Sequence, residues 1–385
     1  MTDTPISARP FTASLRAALP FWASLIMLPM VALAAIYGGW ALLLVPLTSW
    51  WLFSILDLII GIDRESLDPE TADAELFWHR FITLIWPALQ AVLIFGTLAY
   101  ATQTTHLGAW EKIGLFFGVG VVSGTIGIVY SHELMHQRNR EERWLGDILL
   151  GMTLYGHYRS EHLLVHHTYV GTPRDAVTAR YNEGFHRFFP RVLREGIRSS
   201  WRAEVAMQMR RGHSPWHASN PFWRYWGLQL AFLALAFAIG GWIGVCLFVY
   251  QAFIAIWQLE LVNYVEHYGL TREHLGHGRY ERVKPHHSWN ADFRASNWLL
   301  INLQRHADHH MKPDRRYPLL QTYSENDVPT LPYGYPVMTA IAMIPPLWRR
   351  YMNPRVRDWR RHHYPETTDW SAYNSATNPM PARAS

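Results

Sequence analysis

Three short segments of this 385-residue chain place histidines where their side chains could share a metal ion. In the run EHLLVHH, from Glu161 to His167, His162 and His166 are four apart. On an α-helix they share a face and could hold one ion between them. His167 is turned from them by about a third of a helical circle and could reach toward a second ion. SHELMH repeats the i,i+4 spacing with His132 and His136, RHADHH supplies His306, His309 and His310, and His267 sits in NYVEHYGL. One pair alone is weak evidence, because solvated or hydrogen-bonded histidine pairs are common. A pair and two triplets, each just beyond an apolar hairpin, form a specific set.

Nine neutral imidazoles suit a pair of first-row transition ions, and iron fits if the chemistry is oxygen activation. Catalytic zinc fits less well, since it needs about three ligands and an open position. Nearby acids could balance the charge and orient the rings by accepting their other N–H. Glu133, Glu161, Glu266 and Asp308 each stand next to a candidate ligand, and Asp175 and Asp292 lie in the same polar segments. Glu266 and Asp308 are the favoured partners among them.

The elements that must position these residues are membrane spans. The chain is 49% hydrophobic and only 17% charged, with 19 Trp. Apolar runs long enough to cross a bilayer cover residues 17–37, 41–61, 81–101 and 113–130. A fifth span begins near Tyr225 and a sixth ends near Asn263, with Gly240 and Gly241 between them. The expected fold is all-α and integral to the membrane, with six transmembrane helices in three hairpins. All of it forms one membrane domain. Residues 131–224 carry boxes one and two, residues 264–365 carry His267 and box three, and 366–385 form a disordered tail, like the first ten residues. With the N-terminus inside, Lys112 alone of the Lys and Arg residues faces outward, as the positive-inside rule favours. The histidine region and both termini then lie on the cytoplasmic side of a bacterial inner membrane. The single cysteine, Cys246, allows no internal disulfide and no thiolate iron site, and reads as a small buried hydrophobe. No nucleic-acid partner is expected.

Taken together, HELMHQ, EHLLVHHTYVGTPRDAVTAR, NYVEHYGL, KPHHSWN and LQRHADHHMKPDRRYP resemble the integral-membrane alkane monooxygenases of the AlkB type, from about residue 20 to 360. The boxes alone would also admit membrane fatty-acyl desaturases and hydroxylases, and the aromatic-methyl (xylene) branch stands close. The resemblance implies two non-haem iron ions held by His132, His136, His162, His166, His167, His267, His306, His309 and His310. It also implies O2 as oxidant and hydroxylation of the terminal methyl of medium- or long-chain n-alkanes to 1-alkanols. Electrons would come from a rubredoxin served by an NAD(P)H-dependent reductase. A desaturase would release an alkene-containing product instead of an alcohol. A metal transporter, the non-catalytic rival, would place its ligands at bilayer depth.

Other residues take plainer roles. His286 and His287 in KPHHSWN lie outside the ligand set that the resemblance implies, and His362 and His363 read as surface residues. Trp50, Trp51 and Leu259 are candidates for an apolar substrate channel, although helix packing or lipid contact would equally explain them. Lys312, Arg315 and Arg316, with Arg138, Arg140 and Arg143, are candidates for a basic face that docks an acidic electron donor.

Overall fold

The computed structural model describes residues 11–379 apart from Glu325, so the first ten residues, expected to be mobile, lie outside the described part. Five helices are long and apolar enough to cross a membrane: α1 (Ser14–Tyr37), α2 (Gly39–Ile60), α3 (Asp73–Gln103), α4 (Ala109–His136) and a 46-residue run, Phe222–His267. The protein is therefore an integral membrane protein. Among the described residues there are no strands, only isolated bridges such as Ile62 with Phe293.

The 46-residue run is not one straight rod. A helix of that length would extend about 69 Å, more than twice the hydrocarbon core. Gly241 breaks it with φ 57° and ψ −147°. Gly38, between α1 and α2, has nearly the same conformation, φ 57° and ψ −154°. Beyond the break, a Cβ on Gly244 would collide with the carbonyl of Ala236. In a continuous helix eight residues rise about 12 Å, so the two arms fold back on each other. We label them α6 (222–240) and α7 (242–267), after α5 (Phe185–Arg210), which lies between box two and the first arm.

Small residues bring α4 and α7 together. A Cβ on Gly120 would lie 2.7 Å from the Gln251 carbonyl, and one on Gly124 would lie 2.9 Å from the Ala255 carbonyl. Membrane helices use such residues for close approach, because lipid tails solvate larger apolar side chains as well as a neighbouring helix does. Both helices then continue past their apolar windows, and His132, His136 and His267 ride on their ends. Cys246, expected to be buried, is exposed on the outer face of α7, where lipid would surround it.

After α7 come α8 (His306–Met311), α9 (Tyr335–Ala342), α10 (Pro345–His363) and α11 (Ser371–Asn374). The segment expected to be a disordered tail is docked as far as residue 379. The Arg360 guanidinium lies over the Trp370 ring at 4.3 Å, and the Tyr373 hydroxyl accepts from the His274 N–H at 3.1 Å. Aromatic anchors give a short polar segment the contacts that its composition conceals.

Candidate metal centre

The nine histidines converge on one place and divide into two groups. His132, His136, His162 and His309 form one, and His166, His267, His306 and His310 the other. His167 joins the first, with its Nε2 3.0 Å from that of His162 and 3.1 Å from that of His309. Within the first group, His132 Nε2 is 2.9 Å from His162 Nε2. Within the second, His306 Nε2 is 3.0 Å from the Nε2 atoms of both His267 and His310.

Box two departs from the helical reading of its spacing. His162 and His166 fall in different groups, and His162 pairs with His167. The reason is local: Glu161–His166 is a π-helix, and the His167 N–H donates to the His162 carbonyl. The i→i+5 bond widens the turn and brings His167, rather than His166, beside His162. Boxes one and three keep α-helical spacing, so His132 pairs with His136 and His306 with His310, while His309 crosses to the first group. A turn at Ile301 (φ 44°) and Asn302 (φ 57°) delivers box three. Positive φ is costly for a β-branched residue, and such strain clusters at functional sites.

A metal fits this arrangement on chemical grounds. Imidazole nitrogens about 2.1 Å from one ion and at right angles are about 3 Å apart, as these Nε2 atoms are. Without a cation, His162 Nε2 faces two other ring nitrogens, and one proton cannot satisfy all three. The buried Nε2 atoms of His136 and His166 have no hydrogen-bond partner among the described residues. Burial first, then neighbouring imidazoles, hold His162, His167, His306, His309 and His310 well below the usual histidine range. They are therefore neutral, the form that ligates.

The acids sort differently from expectation. Asp308 is spent on the Arg315 guanidinium (2.5 Å), the Gln321 N–H (3.0 Å) and the Tyr323 hydroxyl (2.9 Å). Glu133 accepts from Gln137 Nε2 at 3.0 Å and the Tyr317 N–H at 3.2 Å. Burial, with Asp175 and Glu260 nearby, pushes Glu161 well above the usual carboxylate range, and neither of its oxygens has a hydrogen-bond partner among the described residues. Glu266 does approach a ring, with Oε2 3.4 Å from His306 Nε2 on the metal-facing side. The acid that orients a ring is Asp175, 3.0 Å from His166 Nδ1 and itself held by Thr178 Oγ1 at 2.7 Å. Burial raises the Asp175 carboxyl, but His166 and Thr178 outweigh it and leave it lowered. Its distance from His166 in sequence, nine residues, gave no periodic signal. The Tyr158 hydroxyl, 3.4 Å from His162 Nδ1, is a second contact that the motifs did not mark.

Glu281, His286 and His287 form a third cluster of ligand type, but its protons argue against a metal. The Lys284 N–H donates to His287 Nδ1 at 2.9 Å, which leaves the ring proton on Nε2. That Nε2–H faces the Tyr364 hydroxyl at 2.7 Å and Glu281 at 3.3 Å, so the nitrogen a metal would need is occupied. His286 stacks on His363 with ring centroids 4.0 Å apart, while His362 is exposed.

An apolar cavity of about 630 Å³ opens among α2, α4, α7 and α9. Trp50, Trp51 and Leu259 all line it. So does Tyr335, whose hydroxyl is raised well above the usual range by burial and by the Glu266 carboxylate. The wall of the cavity thus leads through Tyr335 and Glu266 to His306.

Known proteins resemble this chain in sequence. Residues 105–342 match the family model described as fatty acid desaturase. Alkane 1-monooxygenase 2 of Pseudomonas aeruginosa is 36% identical over 354 residues, covering 83% of this chain and 92% of its own length. Alkane 1-monooxygenase 2 of Alcanivorax borkumensis is 36% identical over 356 residues, covering 88% of this chain and 90% of its own length. The chain belongs to the alkane monooxygenase family. Xylene/toluene monooxygenase hydroxylase component XylM of Pseudomonas putida, at 26% over 310 residues, is a more distant relative.

In this alkane monooxygenase chain three of the six residues of the expected docking patch pair with carboxylates. Arg316 is buried between Asp73 (2.8 Å) and Glu142 (2.9 Å), Arg315 holds Asp308, and Arg138 pairs with Asp314 at 2.7 Å. A different basic face stands free. A groove of about 900 Å³ between box two and α5 is lined by Arg174, Arg180, Arg202 and Arg210, all exposed. None of the four pairs with a carboxylate among the described residues. Asp175, the partner of His166, lies in the same wall.

Proposed function

We propose that this protein is a membrane monooxygenase that converts the terminal methyl of medium- or long-chain n-alkanes to the 1-alkanol. The observation that carries this reading is the pairing of two imidazole groups with an adjoining apolar cavity, in a chain 36% identical to alkane 1-monooxygenases over most of its length. The balanced reaction joins the alkane, O2, two electrons and two protons to give the alcohol and water. His132, His136, His162, His167 and His309 would hold one iron, and His166, His267, His306 and His310 the other. When bound, the irons would supply the activation of O2 and the oxidation of the C–H bond.

The chain's own part is to hold, orient and exclude. Neutral, buried imidazoles present Nε2 without a protonation cost, and Asp175 fixes the His166 ring through Nδ1. The cavity offers almost no hydrogen-bonding surface, so it suits a hydrocarbon chain drawn from the bilayer. Trp50, Trp51 and Leu259 form its walls, and Tyr335 marks the end nearest Glu266. Electrons would come from a rubredoxin served by an NAD(P)H-dependent reductase, because one exposed cysteine cannot build a thiolate iron site. The distribution of Lys and Arg supports six spans in three hairpins in the inner membrane, with both termini and the histidines cytoplasmic.

The test is product identity. Purified protein, supplied with rubredoxin, reductase and n-alkanes of several lengths, should yield 1-alkanols and hold two irons per chain. Unsaturated products, or turnover of xylenes in preference to alkanes, would move the protein to the desaturase or aromatic-methyl branch.

A further inference from the structure

Between the cavity and the histidines, α4 carries a π-helical section, Ser123–Ile128. Such a turn exchanges i+4 hydrogen bonds for i+5 ones, so the carbonyls around it are bonded less regularly. In a bilayer those carbonyls must be satisfied within the protein. The Gly120 carbonyl accepts the Ser123 N–H, and one side chain from α7 adds to this: Gln258 Nε2 lies 3.3 Å from the Gly120 carbonyl and 3.2 Å from that of Val121. Its Oε1 accepts from the Thr125 hydroxyl at 3.1 Å and the Trp50 indole at 3.4 Å. Gln258 thereby ties α2, α4 and α7 together with both ends of one amide. Trp50, Gly124, Thr125 and Gln258 also line the apolar cavity.

The register of α4 matters to the centre. A π-turn inserts one residue, and one residue is about 100° of helical rotation. His132 and His136, one and two turns further on, point into the first imidazole group only at the phase this turn sets. We propose that Gln258 is a positioning residue that couples the substrate wall to the helix bearing His132 and His136. Through the Trp50 indole it fixes where the hydrocarbon lies, and through the π-turn it fixes where two of the ligands point. Together these determine which carbon is oxidised. This rests on the alkane-hydroxylating reading for its substrate but not for its geometry.

The experiment compares wild type with Gln258→Leu and Thr125→Val. Leucine keeps the bulk and removes every hydrogen bond, whereas Thr125→Val removes one contact to Oε1 and leaves both carbonyl contacts. Two readouts are taken: the ratio of subterminal to terminal alcohol from one n-alkane, and the visible absorption of cobalt(II)-reconstituted protein, which reports ligand geometry without turnover. Folded Gln258→Leu should raise the subterminal fraction severalfold and shift the cobalt bands, and Thr125→Val should raise that fraction less. Folded Gln258→Leu with wild-type ratio and spectrum would overturn the proposal. Should Gln258→Leu not fold, Thr125→Val decides, and an unchanged product ratio there counts against the proposal. Wild-type protein that oxidises no alkane defeats the functional reading alone, because the cobalt comparison still tests the role of Gln258.

Discussion

An imidazole can lend a metal only one nitrogen, and what the other nitrogen does separates the histidines here. His166 offers Nε2 to the second group because Asp175 accepts at Nδ1, 3.0 Å away. His287 cannot do the same, because the Lys284 N–H already occupies Nδ1 as acceptor and leaves the proton on Nε2. The two sites therefore respond differently to substitution. Asp175→Ala leaves the His166 ring unanchored, and loss of such a partner typically weakens metal binding about 10–100-fold. Iron content after mild chelation should fall from two toward one per chain. His287→Ala should keep both irons and instead lower the melting temperature, since it cuts the contacts to Tyr364 and Glu281. Equal iron retention in the two variants would remove Asp175 from its role.

At the scale of elements, the close contact of α4 with α7 is what brings box one and His267 to the same depth. That contact depends on the absence of side chains at Gly120 and Gly124, where a Cβ would meet backbone carbonyls of α7 at 2.7 and 2.9 Å. Overpacking of this kind typically costs about 1–3 kcal/mol. Gly120→Val should separate the helices, lower the melting temperature and reduce iron content together. Gly212→Ala provides a comparison, because nothing lies within 4 Å of its Cβ position, although its φ of 74° adds local strain. Iron content should be unaffected there. A Gly120→Val protein with full iron would show that the histidines are gathered by the cytoplasmic segments alone.

At the scale of the whole molecule, the proposed external donor would have to reach a buried centre. The guanidinium groups of Arg174, Arg180, Arg202 and Arg210, none paired with a carboxylate among the described residues, stand over the back of box two, while Arg315 and Arg316 are paired inward. An acidic donor would be drawn to the first face, with attraction screened over about 8–10 Å at physiological ionic strength. Arg202→Glu combined with Arg210→Glu should slow rubredoxin-dependent turnover at low salt and flatten its salt dependence, with iron content unchanged. Lys312→Glu should have little effect. The reverse order of effects would return docking to the face around Lys312. The comparison is made in detergent, so that loss of contacts to anionic lipid cannot imitate loss of docking.

Much of this was legible in the chain because membrane insertion and metal binding both impose sequence patterns. Runs of apolar residues announced the spans, and the order and spacing of nine histidines announced a shared centre. Trp50, Trp51 and Leu259, which helix packing or lipid contact would equally have explained, line the apolar cavity. What spacing could not give was the division of ligands: an α-helical reading pairs His162 with His166, and only the π-turn at Glu161–His166 pairs His162 with His167. Nor could it pick the working acid, since Asp308 and Asp175 look alike in sequence until Arg315 claims one and His166 the other. The same holds for basic residues, which differ by whether a carboxylate lies opposite. Local composition fixes which segments enter the bilayer, whereas hydrogen-bond partners carry no periodic signal, whether 9 residues apart, as His166 and Asp175 are, or 174 apart, as Glu142 and Arg316 are. Those are decided only when the helices pack.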